Sequence, residues 1–335
     1  MRKVVNYSRL PALDALVALV ALVALLRPLT LKLFISVVVA QFFLSTAVHA
    51  KIIHNEHSLY GNIVVEDTGD LRCLHFNVKS SKSNQSCFLK SQPQSLVFNY
   101  TKLLFSALLI NKQPERILII GLGGGTMSNT LHQMFPSSRI DNVEIDPSVV
   151  KVARQYFNFV ENNKVNTYTQ DGRIFIKRAL LKKQTYDWII FDAFNGDYIP
   201  EHLLTKEFLT ESKQLLSANG VLTANTFSSS QLYAHESATY QAVFGEFFNV
   251  RNPNLNTNTN TNNSNRIILV TPEKLPSNKQ LLQRIDLLKS QLAPYNIDIS
   301  AIYSSITSSN TEQDWPANTR LLTDQFSPAN LLNFN

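Results

Sequence analysis

An α/β fold built on an open, doubly wound sheet is what the sequence predicts. Three observations carry this: strand and helix signals alternate between residues 117 and 226, a glycine-packed turn follows the first of those strands, and later strands run into acids. Sheets of this Rossmann-like kind hold ligands at the carboxyl ends of their strands, so the turn and the acids point to one crevice. At 335 residues and 44% hydrophobic content, the chain can bury a large domain and a smaller one. Its net charge of +6 is dispersed, without the dense Lys/Arg tracts of a phosphate-binding footprint, so no nucleic-acid partner is expected.

Residues 1–50 read as a hydrophobic membrane anchor or signal segment. ALDALVALVALVALL (12–26) is repetitive and contains Asp14; LTLKLFISVVVAQFFLSTAV (29–48) is long enough to cross a bilayer, with Lys32 near its start. The same run, ending in small residues Val48 and Ala50, also fits a secretory cleavage pattern. Holding Arg2, Lys3, Arg9, Arg27 and Lys32 inside would export the remainder, whereas a two-span hairpin would return it to the cytoplasm; a buried helix pair is the bland alternative.

Residues 51–93 show short alternating runs, SLYGNIVVED and LRCLHFNV among them, punctuated by Gly61 and Gly69, which predicts hairpins of a small β domain. Cys73 and Cys87 lie there, either as a bonded pair in an oxidising compartment or as two thiols in a reducing one. From 94 to 335 the large domain follows. QSLVFNYTKLLFSALLI (94–110) has helical apolar spacing, and strands are expected near 117–120, 140–145, 165–169, 186–192 and 220–226 with helices between. EFFNVRN and NRIILVTP read as two strands joined across an Asn/Thr-rich hairpin loop, and KQLLQRIDLLKSQL as a helix.

The turn is GLGGGT. Gly121, Gly123 and Gly125 allow the backbone to fold tightly against a ligand, with a helix N-terminus behind them. Glu144 follows Gly125 by nineteen residues, at the end of the next strand, where an acid can hold ribose hydroxyls. A dinucleotide fingerprint would place glycine where Thr126 stands, and Asp171 follows the third strand, where adenosyl-sulfonium enzymes keep a carboxylate for the adenine amino group. An S-adenosyl-type ligand is therefore favoured over NAD. Asp192 ends the strand YDWIIFD on the same crevice; Asp197 lies five residues on, as a second acid or a helix N-cap.

SLYGNIVVED, the glycine turn, VEID, QDG, the segment from YD to IP and the strand pair before VTP occur in the order that resembles the spermidine/spermine synthase family, and its divergent bacterial members in particular. The resemblance implies a small N-terminal β domain on a class I methyltransferase-like fold. It implies transfer of an aminopropyl group from decarboxylated S-adenosylmethionine to a polyamine-type amine, without a metal, in a homodimer or a tetramer. By the same resemblance Glu144 binds ribose, Asp171 binds adenine, and Asp192 holds and deprotonates the amine with help from Tyr60.

Departures from the family pattern also stand in the sequence. Gly124 occupies the place of the acid in the family's GGGDGG motif, and Lys102 falls in the helix motif where it would repel a cationic acceptor if it pointed inward. They keep two other readings open: an S-adenosylmethionine-dependent methyltransferase, and a non-catalytic polyamine- or nucleoside-binding protein. His54 and His57 in HNEH lack a third ligand in the sequence, so no metal site is expected there.

Overall fold

The computed structural model describes residues 50–78, 81–194, 198–227, 231–251, 265–309 and 313–332. The expected anchor or signal segment, the Asn/Thr tract and Asp197 lie outside these residues. Among the described residues no helix is long and apolar enough to cross a membrane. From Ala50 onward the chain forms one compact unit containing two sheets.

The smaller sheet is an antiparallel meander of β1 (Lys51–His57), β2 (Asn62–Thr68), β3 (Leu71–Val78) and β4 (Ser81–Leu89), in that order. Its alternation is of the half-buried kind: Ile63, Val65, Leu74 and Phe88 form a layer that packs on Val149, Val152 and Phe157. Cys73 and Cys87 stand directly opposite each other on β3 and β4 and are disulfide-bonded.

The larger sheet has eight strands in the order β12-β10-β11-β9-β8-β5-β6-β7. Strands β5 (Arg116–Ile120), β6 (Arg139–Glu144), β7 (Val165–Thr169), β8 (Tyr186–Phe191) and β9 (Leu216–Phe227) run parallel. Antiparallel partners β11 (Asn265–Val270), β10 (Phe248–Arg251) and β12 (Ile306–Ser308) extend the β9 side. The sheet is thus mixed, where the strand and helix rhythm predicts a parallel one: β11 pairs antiparallel with both β9 and β10, and β12 pairs antiparallel with β10.

Two apolar layers cover the sheet, and side-chain alternation assigns each residue to one of them. On one face Ile117, Ile119, Trp188, Ile190, Val221, Ile267 and Leu269 meet residues 103–109 and the helix α7 (Asn278–Leu292). On the other, Leu118, Ile120, Ile189, Phe191, Leu222 and Ala224 meet α4 (Gly172–Leu181), α5 (Lys206–Gln214) and α6 (Gln231–Phe244). Between sheets lies α3 (Pro147–Tyr156), with Val150 and Ala153 towards the large one and Val149 and Val152 towards the small one.

The helix expected over 94–110 is shorter and of two kinds. Residues Asn99–Leu103 are α-helical (α1), and Leu104–Leu109 continue as a 3-10 helix whose six side chains are all buried. A segment buried on every side has no polar face to hold it to an α-helical period, and packing sets its pitch instead.

Candidate functional site

A cavity of about 280 Å³ opens at the carboxyl ends of β5, β6 and β8, with the small sheet as its roof. Gly121, Gly123, Glu144, Asp171, Asp192 and Tyr60 all line it. Sequence reading thus brought six candidates to one place. Gly125 is not part of the wall: it adopts φ +72° as the residue before α2 (Thr126–Met134), and its Cα faces the Phe159 ring.

The turn begins where β5 ends. The Gly121 N–H donates to the Val143 carbonyl at 2.8 Å, which ties the turn to β6. Glu144 closes the loop from the other side. Its Oε2 accepts from the Leu122 N–H and its Oε1 from the Asp146 N–H, each at 3.0 Å, so the carboxylate is fixed against the turn. Burial nevertheless raises its pKa, against those two hydrogen bonds. Carboxylate oxygens so placed keep lone pairs for a diol.

Asp146 caps α3 through the Ser148 N–H, and its other oxygen accepts from Ser58 Oγ. Ser58 also bonds Gly61, and this small turn between β1 and β2 sets Tyr60 at the cavity rim, 43% exposed. Tyr60 is therefore a rim residue, and the phenol that hydrogen-bonds Asp192 belongs to Tyr100.

Asp171 is the N-cap of α4: Oδ1 accepts from the Ile174 N–H at 2.9 Å, and Oδ2 pairs with His202 Nε2 at 2.7 Å. That histidine lowers the carboxyl's pKa. His202 lines the cavity as well and was not singled out by the sequence, since a lone histidine in a loop bears no spacing signal.

Asp192 follows β8 directly. It is partly buried and lines the cavity. Burial pushes its pKa from 3.8 up to about 6, against a 2.8 Å hydrogen bond from Asn225 Nδ2 and a 3.4 Å bond from Tyr100 Oη. The Tyr100 phenol is in turn raised well above its ordinary range by burial and by this carboxylate. Around them stand Phe98, Phe194, Ile190 and Met127, an apolar wall. Lys102, one residue beyond Thr101, is not part of that wall, so the repulsion feared from the sequence does not arise there.

Gly124 has no room for a side chain. A Cβ there would stand 2.7 Å from Phe157 Cδ1 and 2.8 Å from Ser86 Oγ of β4. The place where the related motif has an acid is thus filled by a ring and a strand. Among the described residues no group of three His, Cys, Asp or Glu is placed to hold a metal ion; His54 instead contacts Glu56 and Tyr156.

A glycine turn under a Rossmann-like sheet, an acid after each of the next strands and a roof from a separate small sheet define a transferase of the methyltransferase-like class. Residues 97–280 match the spermine/spermidine synthase domain, and the chain belongs to that family. It is 49% identical over 282 residues to a polyamine aminopropyltransferase of Vibrio vulnificus, which spans 84% of this chain and 91% of the relative. Among solved structures, a probable spermidine synthase from Corynebacterium glutamicum superposes with a TM-score of 0.64 at 20% identity, covering 82% of this chain and 97% of that one. Human methyltransferase-like protein 13 in complex with SAH superposes with a TM-score of 0.53 at 26% identity, over 59% of this chain and 93% of that one.

Proposed function

We propose that the chain is a polyamine aminopropyltransferase that uses decarboxylated S-adenosylmethionine as donor. The observation that supports this most is the Asp192 carboxylate, pKa about 6, opening into the same cavity as the glycine turn. The donor nucleoside lies along Gly121 and Gly123, with its ribose hydroxyls on Glu144 and its adenine towards Asp171 and His202. The acceptor amine lies against Asp192 and Tyr100.

In the transfer step the amine nitrogen attacks the methylene carbon next to the sulfonium. A C–N bond forms, the C–S bond breaks with its electron pair going to sulfur, and methylthioadenosine leaves neutral. Asp192 accepts the proton that the nitrogen sheds. The leaving group is good, so alignment and deprotonation are what remain for the protein to supply. Above its pKa Asp192 is an anion, which suits a cationic acceptor arriving from water.

The family membership and the aminopropyltransferase relative favour this reading over methyl transfer or a purely binding role. The Cys73–Cys87 disulfide supports export of the unit through residues 1–50. The test is incubation of the full chain with a polyamine and either sulfonium donor. Methylthioadenosine release with the decarboxylated donor is the expected result, and Asp192→Asn should abolish it while leaving nucleoside binding intact. S-adenosylhomocysteine formed from the intact donor would overturn the reading in favour of methyl transfer.

A further inference from the structure

Asp192 continues the face of β8 that carries Trp188 and Ile190, so it projects towards the α1 side of the sheet. On the neighbouring parallel strand the register pairs Phe191 with Ala224, which brings Asn225 alongside Asp192 on that same face. One strand further, β11 runs antiparallel with Ile267 opposite Asn225 and Asn265 opposite Phe227. Asn265 is therefore a diagonal neighbour of Asn225 on one face, a spacing at which amide side chains meet.

They do meet: Asn265 Nδ2 donates to Asn225 Oδ1 at 2.9 Å, and Asn225 Nδ2 donates to Asp192 Oδ1 at 2.8 Å. The directions are forced by chemistry. A carboxylate only accepts, so Asn225 must turn its NH2 to Asp192 and its carbonyl oxygen away. That oxygen then needs a donor, and Asn265 presents one. Asn225 is 4% exposed, so water is a poor substitute.

We propose that Asn265 is a positioning residue for Asp192: by donating to Asn225 it locks that amide in the orientation that hydrogen-bonds the carboxylate. The inference rests on Asp192 being the base of the transfer step. Asn265 touches neither substrate nor Asp192 and acts only through Asn225. Among the described residues, Tyr100 from α1 and Asn225 from β9 hydrogen-bond Asp192, and the other titratable groups lining the cavity are Tyr60, Glu144, Asp146, Asp171, Tyr198 and His202.

The experiment compares pH profiles of kcat and kcat/KM for the full chain, Asn265→Ala, Asn225→Ala, the double variant and Asp192→Asn, with methylthioadenosine affinity measured on each. A hydrogen bond to the anion lowers its pKa, so loosening the bond raises the pKa and moves the acid limb to higher pH. Asn265→Ala should shift that limb upward by about half a pH unit and lower kcat roughly threefold to tenfold, with methylthioadenosine affinity within about twofold of the parent. Asn225→Ala should shift it at least as far, and adding Asn265→Ala to it should change nothing more. An unmoved limb in Asn265→Ala, or additive shifts in the double variant, overturns the relay while Asp192→Asn remains inactive. Full turnover in Asp192→Asn instead overturns the base assignment and the relay with it.

Discussion

The main-chain carbonyl oxygen of Asp192 lies 2.3 Å from the point where a Cβ on Gly121 would stand, and Gly121 itself holds φ at +99°. The ends of β5 and β8 therefore touch backbone to backbone, and the glycine turn and Asp192 are built on one contact. Gly121→Ala meets both a steric clash with main chain, which cannot rotate away, and a left-handed conformation. It should destabilise the fold by about 2–5 kcal/mol in urea titration and displace Asp192, lowering kcat in whatever folded protein remains.

Gly124→Asp should not install a grip on a donor's amine. Phe157 and Ser86 stand within 2.8 Å of the would-be Cβ, and Phe157 is itself held between α3 and the small sheet. A loss of about 1–3 kcal/mol is expected, with no gain in preference for the decarboxylated donor over the intact one. Competition binding of the two donors to parent and variant checks this.

Asp192 links stability to pH. Its folded pKa, about 6, lies above its ordinary 3.8, so the folded state binds the extra proton between those values. Its contribution to stability is complete below about pH 3.8 and disappears as pH rises through 6. Asp192→Asn, which removes the charge and keeps the shape, should therefore stabilise the ligand-free protein by up to about 3 kcal/mol above pH 7 and by little near pH 4. Thermal unfolding of both proteins at the two pH values measures it; equal differences at both would contradict the raised pKa.

Arg266 of β11 and Glu236 of α6 form a fully buried ion pair, Nη2 to Oε2 at 3.3 Å. The guanidinium also donates to Thr226 and Ser237 and stacks 3.8 Å from the Tyr233 ring centroid. Even with that partner, burial pushes Glu236 up to about 7. Arg266→Met leaves the acid alone and should cost about 3–5 kcal/mol, whereas adding Glu236→Leu to it should restore much of the loss. Chemical denaturation of the two variants separates these outcomes.

Much of the larger sheet could be read from the residues, because β5 and β8 are short apolar runs and each of β5 to β8 ends at or just before a glycine or an acid, and those punctuation marks line the cavity. Glu144, Asp171 and Asp192 were legible for that reason. Tyr100 was not: the family resemblance points to Tyr60, and only the packing of residues 99–109 against the sheet reveals which phenol reaches Asp192. Asn225 and Asn265 were hidden differently. Each sits near a strand end, and their meeting depends on an antiparallel register that no local pattern encodes. The change from α-helix to 3-10 helix at Leu104 likewise follows from burial on every side, which erases the periodicity by which helices are recognised.

The boundary between the two sheets is not a boundary of the site. Ser86 and Gln85 of β4 line the cavity, and Ser86 rests on the glycine turn. A gene fragment opening at Gln94 would encode every strand of the large sheet and all three acids, and it would still yield a crevice missing its roof. Shuffling the large sheet onto another partner would thus transmit the hollow without its cover, so the cavity as it stands is the joint product of both sheets.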